Sequence, residues 1–411
     1  MRVLYVCQRV PYPPNRGDKI ASYNAIRFLA QRHEVIVGCL ANSDEELEHA
    51  EELRRQGFTV EVAKLSPVRQ KWNALTALCT GEPLSVAFFR CKELANLLKE
   101  RLAATPVDVI ITFCSSMGQY AELAPDVPLI ADFVDLDSRK WDLYCRFHRW
   151  PRRLVYRLES QRLLEYERTL AAKACCTLLR TEAERNDCLR LMPTARVEVL
   201  SNGVDLDYFQ VSDDDHDAKT GKDIVFTGVM DYFPNVQGVT FFANEVFPIV
   251  RQSHPDATFT IVGTHPSREV LALGQLPGVT VTGRQEDIRP FLVRASVAVA
   301  PLLLARGIQN KVLEAMSMRL PVVVTPAAFR GVDVDEGDGV FVAEKPTEFA
   351  AEVSKLLDDP ARARSLGLRA RQRVEERYIW DEQLALLESL AEEAVGSFHL
   401  DEKCVVDGGN D

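Results

Sequence analysis

Lys311 and Glu314 stand three residues apart in the run Gln309-Asn310-Lys311-Val312-Leu313-Glu314-Ala315-Met316-Ser317-Met318. The spacing predicts a helix from about Gln309 to Met318, and residues three apart share a helix face. Gly307 frees the backbone for a tight turn before it, and Pro321 stops the helix ahead of Val322-Val323-Val324. A helix start offers unpaired N–H groups and the positive end of a dipole, which suits a phosphate. A cation and a carboxylate beside that end can hold a diphosphate and a sugar hydroxyl together. An ordinary surface helix with a charge pair has the same pattern.

A second group of chemically able residues follows the apolar run Leu129 to Val134. Asp132, Asp135 and Asp137 lie in or just after it. In an open parallel sheet, ligands bind outside the carboxyl ends of the strands, so these carboxylates are candidates for hydroxyl binding or proton handling. Asp135-x-Asp137 also matches a metal-binding Asp-x-Asp, but the pattern recurs at Asp205-x-Asp207, Asp213-x-Asp215 and Asp333-x-Asp335. It singles out no metal site, and none is expected. A third group is basic. Tyr144 to Thr169 carries Arg146, Arg149, Arg152, Arg153, Arg157, Arg162 and Arg168, interleaved with Phe147, Trp150 and Leu154. It fits contact with an anionic membrane surface or a lipid-phosphate acceptor. It equally fits a solvated helix whose arginines pair with Glu159, Glu165 and Glu167. Pro151 is expected to break the helix.

The elements that must position these groups alternate. Arg2 to Cys7 has strand character. It is followed by a turn-rich loop through Arg16 and Gly17, a periodic helix Lys19 to Gln31, and a strand His33 to Leu40. This is the opening of a parallel doubly wound sheet. Gly17 permits close approach of an anion or sugar, yet no Gly-x-Gly-x-x-Gly accompanies it, which disfavours a nicotinamide or flavin cofactor. Further strands are expected at 58–65, 108–113, 129–134, 174–179 and 197–200, with a capping box from Thr181 to Glu184. A polar stretch from Asp207 to Lys222 reads as a linker. A second series then runs through strands at 223–227, 258–262, 279–282 and near Val297, with Gly228 and Gly283-Arg284 in the loops that follow two of them. Two such halves are expected to face each other across a cleft. The expected division is 1–205, 206–380, a helix 381–396 packing back toward the first half, and a disordered tail 397–411.

Composition sets outer limits. With 411 residues, two domains are the prior. A hydrophobic share of 46% with 27% charged residues is that of a soluble globular protein. The net charge of −11 argues against a general nucleic-acid binder. Ten cysteines without a Cys-x-x-Cys are expected to be reduced and structural. The segment Met1 to Cys7 lacks the apolar length of a signal peptide, and no run approaches a bilayer span. A cytoplasmic protein, at most peripheral on the inner membrane, is therefore expected.

The motifs carry a resemblance. Ser201-Asn202-Gly203-Val204-Asp205-Leu206-Asp207-Tyr208-Phe209 resembles the signature between the domains of retaining GT-B glycosyltransferases of family 4. Leu313-Glu314-Ala315-Met316 with Pro321-Val322-Val323 resembles that family's donor-site helix and following strand, and Gly283 to Pro301 resembles the segment before it. Asp132-Phe133-Val134-Asp135-Leu136-Asp137-Ser138 and Gly307-Ile308-Gln309-Asn310-Lys311 are similar to patterns in the sugar transferase group associated with the PEP-CTERM/exosortase system. That group accompanies exopolysaccharide gene clusters. The resemblance implies metal-independent transfer, with retention, from a nucleotide sugar to a saccharide or lipid-linked acceptor.

The resemblance also implies roles for named residues. Gly228, Arg284, Gly307, Ile308, Asn310, Lys311 and Glu314 would bind the donor, Glu314 accepting from ribose hydroxyls, while Gly17's loop closes over the donor phosphate. Asp135, Asp137 and Arg306 would be catalytic, and Arg16, Lys140, Arg152 and Arg153 would face the acceptor or membrane. Three departures stand out. The family pairs two glutamates eight positions apart, and the position eight before Glu314 is Arg306. The loop after Gly228 carries Met230 and Asn235 where the family has an Arg and a Lys. Arg319 stands where a glycine commonly ends the helix. The first two would compensate if Arg306 and Lys311 supply the missing charge. A sugar-nucleotide epimerase of the same fold and a catalytically silent sugar-nucleotide-binding partner are the alternatives.

Overall fold

The structure, a computed structural model, describes residues 1–212 and 221–407, with side chains through Phe398. The chain divides into two compact units, 1–201 with 381–411, and 202–380. The boundary expected at residue 205 thus falls at 201. Part of the expected linker, including Asp213-x-Asp215, lies outside the described residues.

Unit 1 is built on a parallel sheet of seven strands: β1 Arg2–Cys7, β2 Glu34–Ala41, β3 Thr59–Lys64, β4 Val109–Phe113, β5 Leu129–Val134, β6 Cys176–Leu179 and β7 Val197–Val199. Their spatial order is β3-β2-β1-β4-β5-β6-β7. Chain order reverses between β1 and β4, the switch point where open α/β sheets bind ligands. Val109 to Phe113 is buried throughout, as expected of an unbroken Val/Ile run covered on both faces. Pro151 divides the basic segment into helices Asp137–Phe147 and Arg152–Lys173, since proline cannot donate within a helix interior.

Unit 2 repeats the plan with six parallel strands: β8 Asp223–Thr227, β9 Thr258–Val262, β10 Val279–Gly283, β11 Val297–Ala300, β12 Val322–Val324 and β13 Val340–Val342. Their order is β10-β9-β8-β11-β12-β13, with the switch point between β8 and β11. β13 is too short to signal itself in the sequence and is preceded by Gly337 and Gly339, both in the left-handed region.

The last helix begins at Trp380 and continues to Asp407. It therefore enters the stretch expected to be a disordered tail, and ahead of that stretch Ala391 and Ala394 extend the buried face set by Leu384 and Leu387. From Asp381 onward it belongs to unit 1. Glu388 accepts from Arg32 and meets His33 Nε2 at 2.9 Å, and Arg196 forms a two-pronged pair with Glu393. No disulfide joins the described cysteines.

Candidate functional site

The helix holding Lys311 and Glu314 spans Asn310–Ser317, within a residue of its expected ends. It stops as the sequence suggests: Arg319 takes the left-handed conformation, with φ of 55°. The reason for the close turn is packing. A Cβ on Gly367 would come within 2.1 Å of the Arg319 carbonyl oxygen, so another helix lies directly against this cap. Arg371 fastens the same end by donating to the carbonyls of Ser317 and Phe209.

The amino end of the helix sits beside the unit 2 switch point. The loops there approach one another through backbone alone. A Cβ on Gly263 would lie 1.6 Å from the Gly228 oxygen, and one on Gly331 would lie 1.9 Å from the Gly307 oxygen. Gly307 itself is left-handed, with φ of 62°. Gln309, the N-cap residue, gives no side-chain cap to the helix, so its first N–H groups keep no side-chain acceptor there. Asn202 reaches the same end, donating through Nδ2 to Asn310 Oδ1 at 2.9 Å. Its own Oδ1 is buried without a partner.

Lys311 turns its ammonium to Asn235 Oδ1, 3.0 Å away, over the face of Phe226 at 5.2 Å. Asn235 is held by its Nδ2, which donates to the Val229 carbonyl. Lys311 Cε lies 3.3 Å from where a Cβ of Gly228 would be, so the missing side chain makes room for the lysine. Burial draws the Lys311 ammonium down to about 8 against the opposing pull of Glu314. Burial pushes the Glu314 carboxyl up to about 7, opposed by Lys311. The lysine thus reaches into the loop after Gly228, at Asn235. Met230 cannot contribute there, being fully buried. Ile308 is half-buried against the unit 2 core. Arg306 offers its carbonyl to Gln309 Nε2. Arg284, by contrast, is exposed beyond β10, an edge strand two places from β8, and makes no hydrogen bond or ion pair among the described residues.

The second group of candidates lies in unit 1 at the ends of β4 and β5. Two residues other than glycine are left-handed there: Cys114 with φ of 73° and Val134 with φ of 68°. For a β-branched residue this is a real outlier. Val134 is held in it by neighbours. Its N–H donates to Asp132 Oδ1, and its carbonyl accepts from Arg180 N. Asp132 in turn accepts from Arg180 Nη2 at 2.6 Å, both side chains being buried. Burial still raises the Asp132 carboxyl, with Arg180 pulling it down. Asp132 is therefore a structural group.

The kink leaves Asp135 with a buried Oδ1 that has no partner. Burial raises its carboxyl, and Glu184 and Asp137 raise it further. Asp137 instead pairs with Lys140 at 3.3 Å. Glu184 fills only half of the expected capping box. Thr181 accepts from Glu184 N, but the Glu184 carboxylate is diverted to Leu136 N. Glu167, fully buried, accepts from Ser138 N and pairs with the Ser138 hydroxyl. Burial pushes it up to about 8. Sequence spacing missed Glu167, Glu184 and Arg180. The one available signal was Arg180 ending the buried run Thr177-Leu178-Leu179.

The remaining candidates stay apart. Gly17 starts the helix Gly17–Leu29 and is exposed, and Arg16 lies 3.7 Å from Asp18. Arg152 and Arg153 are exposed at the start of their helix, where no acidic side chain among the described residues pairs with them.

Known proteins share this fold. Residues 221–359 match the family described as glycosyl transferases group 1, and residues 21–203 match the glycosyl transferase 4-like domain. An uncharacterized 44.6 kDa protein in the cps region of Klebsiella pneumoniae is 21% identical over 163 residues, covering 38% of this chain. The match spans only 42% of that relative's length. Among solved structures, Anabaena Alr3699/HepE in complex with UDP superposes with a TM-score of 0.69 at 16% identity, covering 95% of this chain and all of that one. The same protein is also known with UDP-glucose. A sucrose-phosphate synthase from Thermosynechococcus elongatus superposes with a TM-score of 0.72 at 15% identity, over 97% of this chain and all of its own. Two doubly wound units, each matched by a glycosyltransferase family, place the chain among the GT-B glycosyltransferases.

Proposed function

We propose that the chain moves a sugar from a nucleotide-sugar donor bound in unit 2 to a saccharide or lipid-linked acceptor, with retention, in exopolysaccharide biosynthesis. The observation that carries the donor assignment is the half-buried Lys311 and Glu314, one turn apart beside a helix start without a side-chain cap, at a switch point opened by glycines. Helix N–H groups and the lysine would hold the diphosphate. Glu314 would accept from ribose hydroxyls. The resemblance of Asp132 to Ser138 and of Gly307 to Lys311 to the PEP-CTERM/exosortase-associated group supports the exopolysaccharide reading.

In the transfer, the acceptor oxygen bonds to the anomeric carbon while the bond from that carbon to the diphosphate oxygen breaks. The electron pair leaves with the diphosphate, which takes the acceptor's proton. The protein's share is positioning and charge stabilisation, supplied by Lys311, Arg306 and the helix start without a metal. Asp135 and Asp137 would bind acceptor hydroxyls or carry a proton. Such an enzyme works in the cytoplasm, or on the cytoplasmic face of the inner membrane if its acceptor is lipid-linked.

Thermal unfolding across nucleotide sugars tests the donor assignment. A bound donor at a hundredfold excess over its Kd stabilises by about 2.7 kcal/mol. Lys311→Ala and Arg306→Ala should each weaken that effect, and unchanged affinity in both sinks the compensation argument. Donor binding without turnover on any lipid-linked saccharide would favour a silent partner. Epimer formation from UDP-GlcNAc without nucleotide release would favour an epimerase.

A further inference from the structure

The helix Pro67–Thr80 is built inside out. Its packed face presents Gln70 and Ala77, which are buried, seven residues apart. Its large apolar residues point the other way. Val68, Trp72 and Leu75 stand at spacings of four and three, on one helical face, and are 65%, 62% and 53% exposed. An ordinary surface helix turns its apolar stripe to the core. Leu78 and Cys79 continue the exposed side.

A second exposed apolar group lies at the bend between helices Asp137–Phe147 and Arg152–Lys173. Trp150 is 80% exposed, and Phe147 and Leu154 are exposed on either side of it. Arg149, Arg152, Arg153 and Arg157 surround them and are exposed. The acids that would have made this a self-neutralised helix are engaged elsewhere. Glu159 accepts from Leu84 N and Ser85 N, and Glu167 from Ser138. Among the described residues of the helix Arg152–Lys173, Glu165 alone pairs along the helix, with Arg168. No acidic side chain among the described residues pairs with Arg149, Arg152, Arg153 or Arg157. This concentration of positive charge occurs in a chain of net charge −11. The two groups belong to one unit and are tied together. Arg162 donates to the Ala77 and Leu78 carbonyls at the end of the inverted helix.

We infer that the outward face of Pro67–Thr80 and the Trp150 bend form a docking surface for an anionic phospholipid bilayer. Charge complementarity selects this occupant. Uncompensated arginines suit headgroup phosphates, Trp150 among them suits the interfacial layer, and Trp72 adds an apolar side chain on the tied helix. Among the described residues no helix is long and apolar enough to cross a membrane, so attachment would lie in the interface plane. The inference deepens the lipid-linked reading of the acceptor, yet vesicle binding is measured without any sugar donor.

Flotation of the full chain with phosphatidylcholine vesicles, with and without phosphatidylglycerol, tests it. Binding is expected only with the anionic lipid and should weaken at high salt. At about 1 kcal/mol per basic residue, Arg149→Gln/Arg152→Gln/Arg153→Gln/Arg157→Gln should weaken it by two to three orders of magnitude, roughly. Trp72→Ser/Leu75→Ser and Trp150→Ser should each weaken it at low and high salt alike. All these positions are exposed, so unchanged melting temperatures and retained stabilisation by nucleotide sugar certify the fold and the donor site. Equal flotation of wild type and variants, or none with either lipid, overturns the inference. So does concentration-dependent dimerisation that Trp72→Ser/Leu75→Ser abolishes. Lipid binding without nucleotide-sugar binding would leave this surface standing and remove the proposed function instead.

Discussion

The carboxyl ends of the two sheets are made by opposite means. In unit 2 the switch point is opened by side chains that are missing. Gly228, Gly263, Gly307 and Gly331 let backbones touch, and the space admits one lysine head. In unit 1 the corresponding edge is crowded with carboxylates. Asp132 is paired with Arg180, while Glu167 accepts from Ser138 in the first turn of the helix Asp137–Phe147 and Glu184 from Leu136 just before it. The helix start that would suit an anion is therefore already occupied by protein carboxylates in unit 1 and lacks a side-chain cap in unit 2. The same fold, written twice, yields one edge opened by glycines around a lysine and another filled with buried carboxylates.

The largest effect is expected where backbone meets backbone. Gly263→Ala forces a methyl into the Gly228 carbonyl and should cost about 4 kcal/mol or leave little soluble protein, as read by urea unfolding. Survival with normal stability would mean that the opening in unit 2 is not set by those contacts.

Next comes the charge in that opening. Lys311→Met should weaken nucleotide-sugar binding by about 2 kcal/mol, some thirtyfold, as read by calorimetry. In the parent chain the lysine loses its charge as pH rises through about 8. A diphosphate prefers the charged form, so affinity should fall above that pH. Glu314 becomes protonated as pH falls through about 7, which weakens acceptance from ribose. Affinity should thus be greatest between the two values, and Lys311→Met should lose the alkaline limb alone.

Glu167→Gln probes the crowded edge of unit 1. Its carboxyl is raised to about 8 in the fold, from 4.5. The native state then holds a proton that the unfolded chain releases, so stability falls as pH rises across that window. Glutamine keeps the neutral form. The variant should match the parent near pH 5 and exceed it by about 2 kcal/mol above pH 8. Parallel stability curves would show that Glu167 is ionised in the fold. The smallest effect is expected at the helix cap: Arg319→Gly should add about 1 kcal/mol by relieving the left-handed backbone.

The alternation of short apolar runs and periodic helices was enough to expect two doubly wound units, because period and turn chemistry are local properties. The helix around Lys311 and the left-handed position of Arg319 were legible for the same reason: caps, prolines and spacing act within a few residues. Tertiary structure alone decided which partners the charged groups found. Thr181 and Glu184 have the spacing of a capping box, yet the Glu184 carboxylate goes to Leu136, forty-eight residues back in the chain. The acids of the basic segment look available in sequence, but Glu159 and Glu167 are spent on distant helix starts, leaving Arg149, Arg152, Arg153 and Arg157 without an acidic partner among the described residues. The exposure of Trp72 is equally invisible in its helix, whose periodicity shows a stripe but not which way it faces. Burial and pairing depend on what the rest of the chain brings alongside, and only the folded chain brings it there.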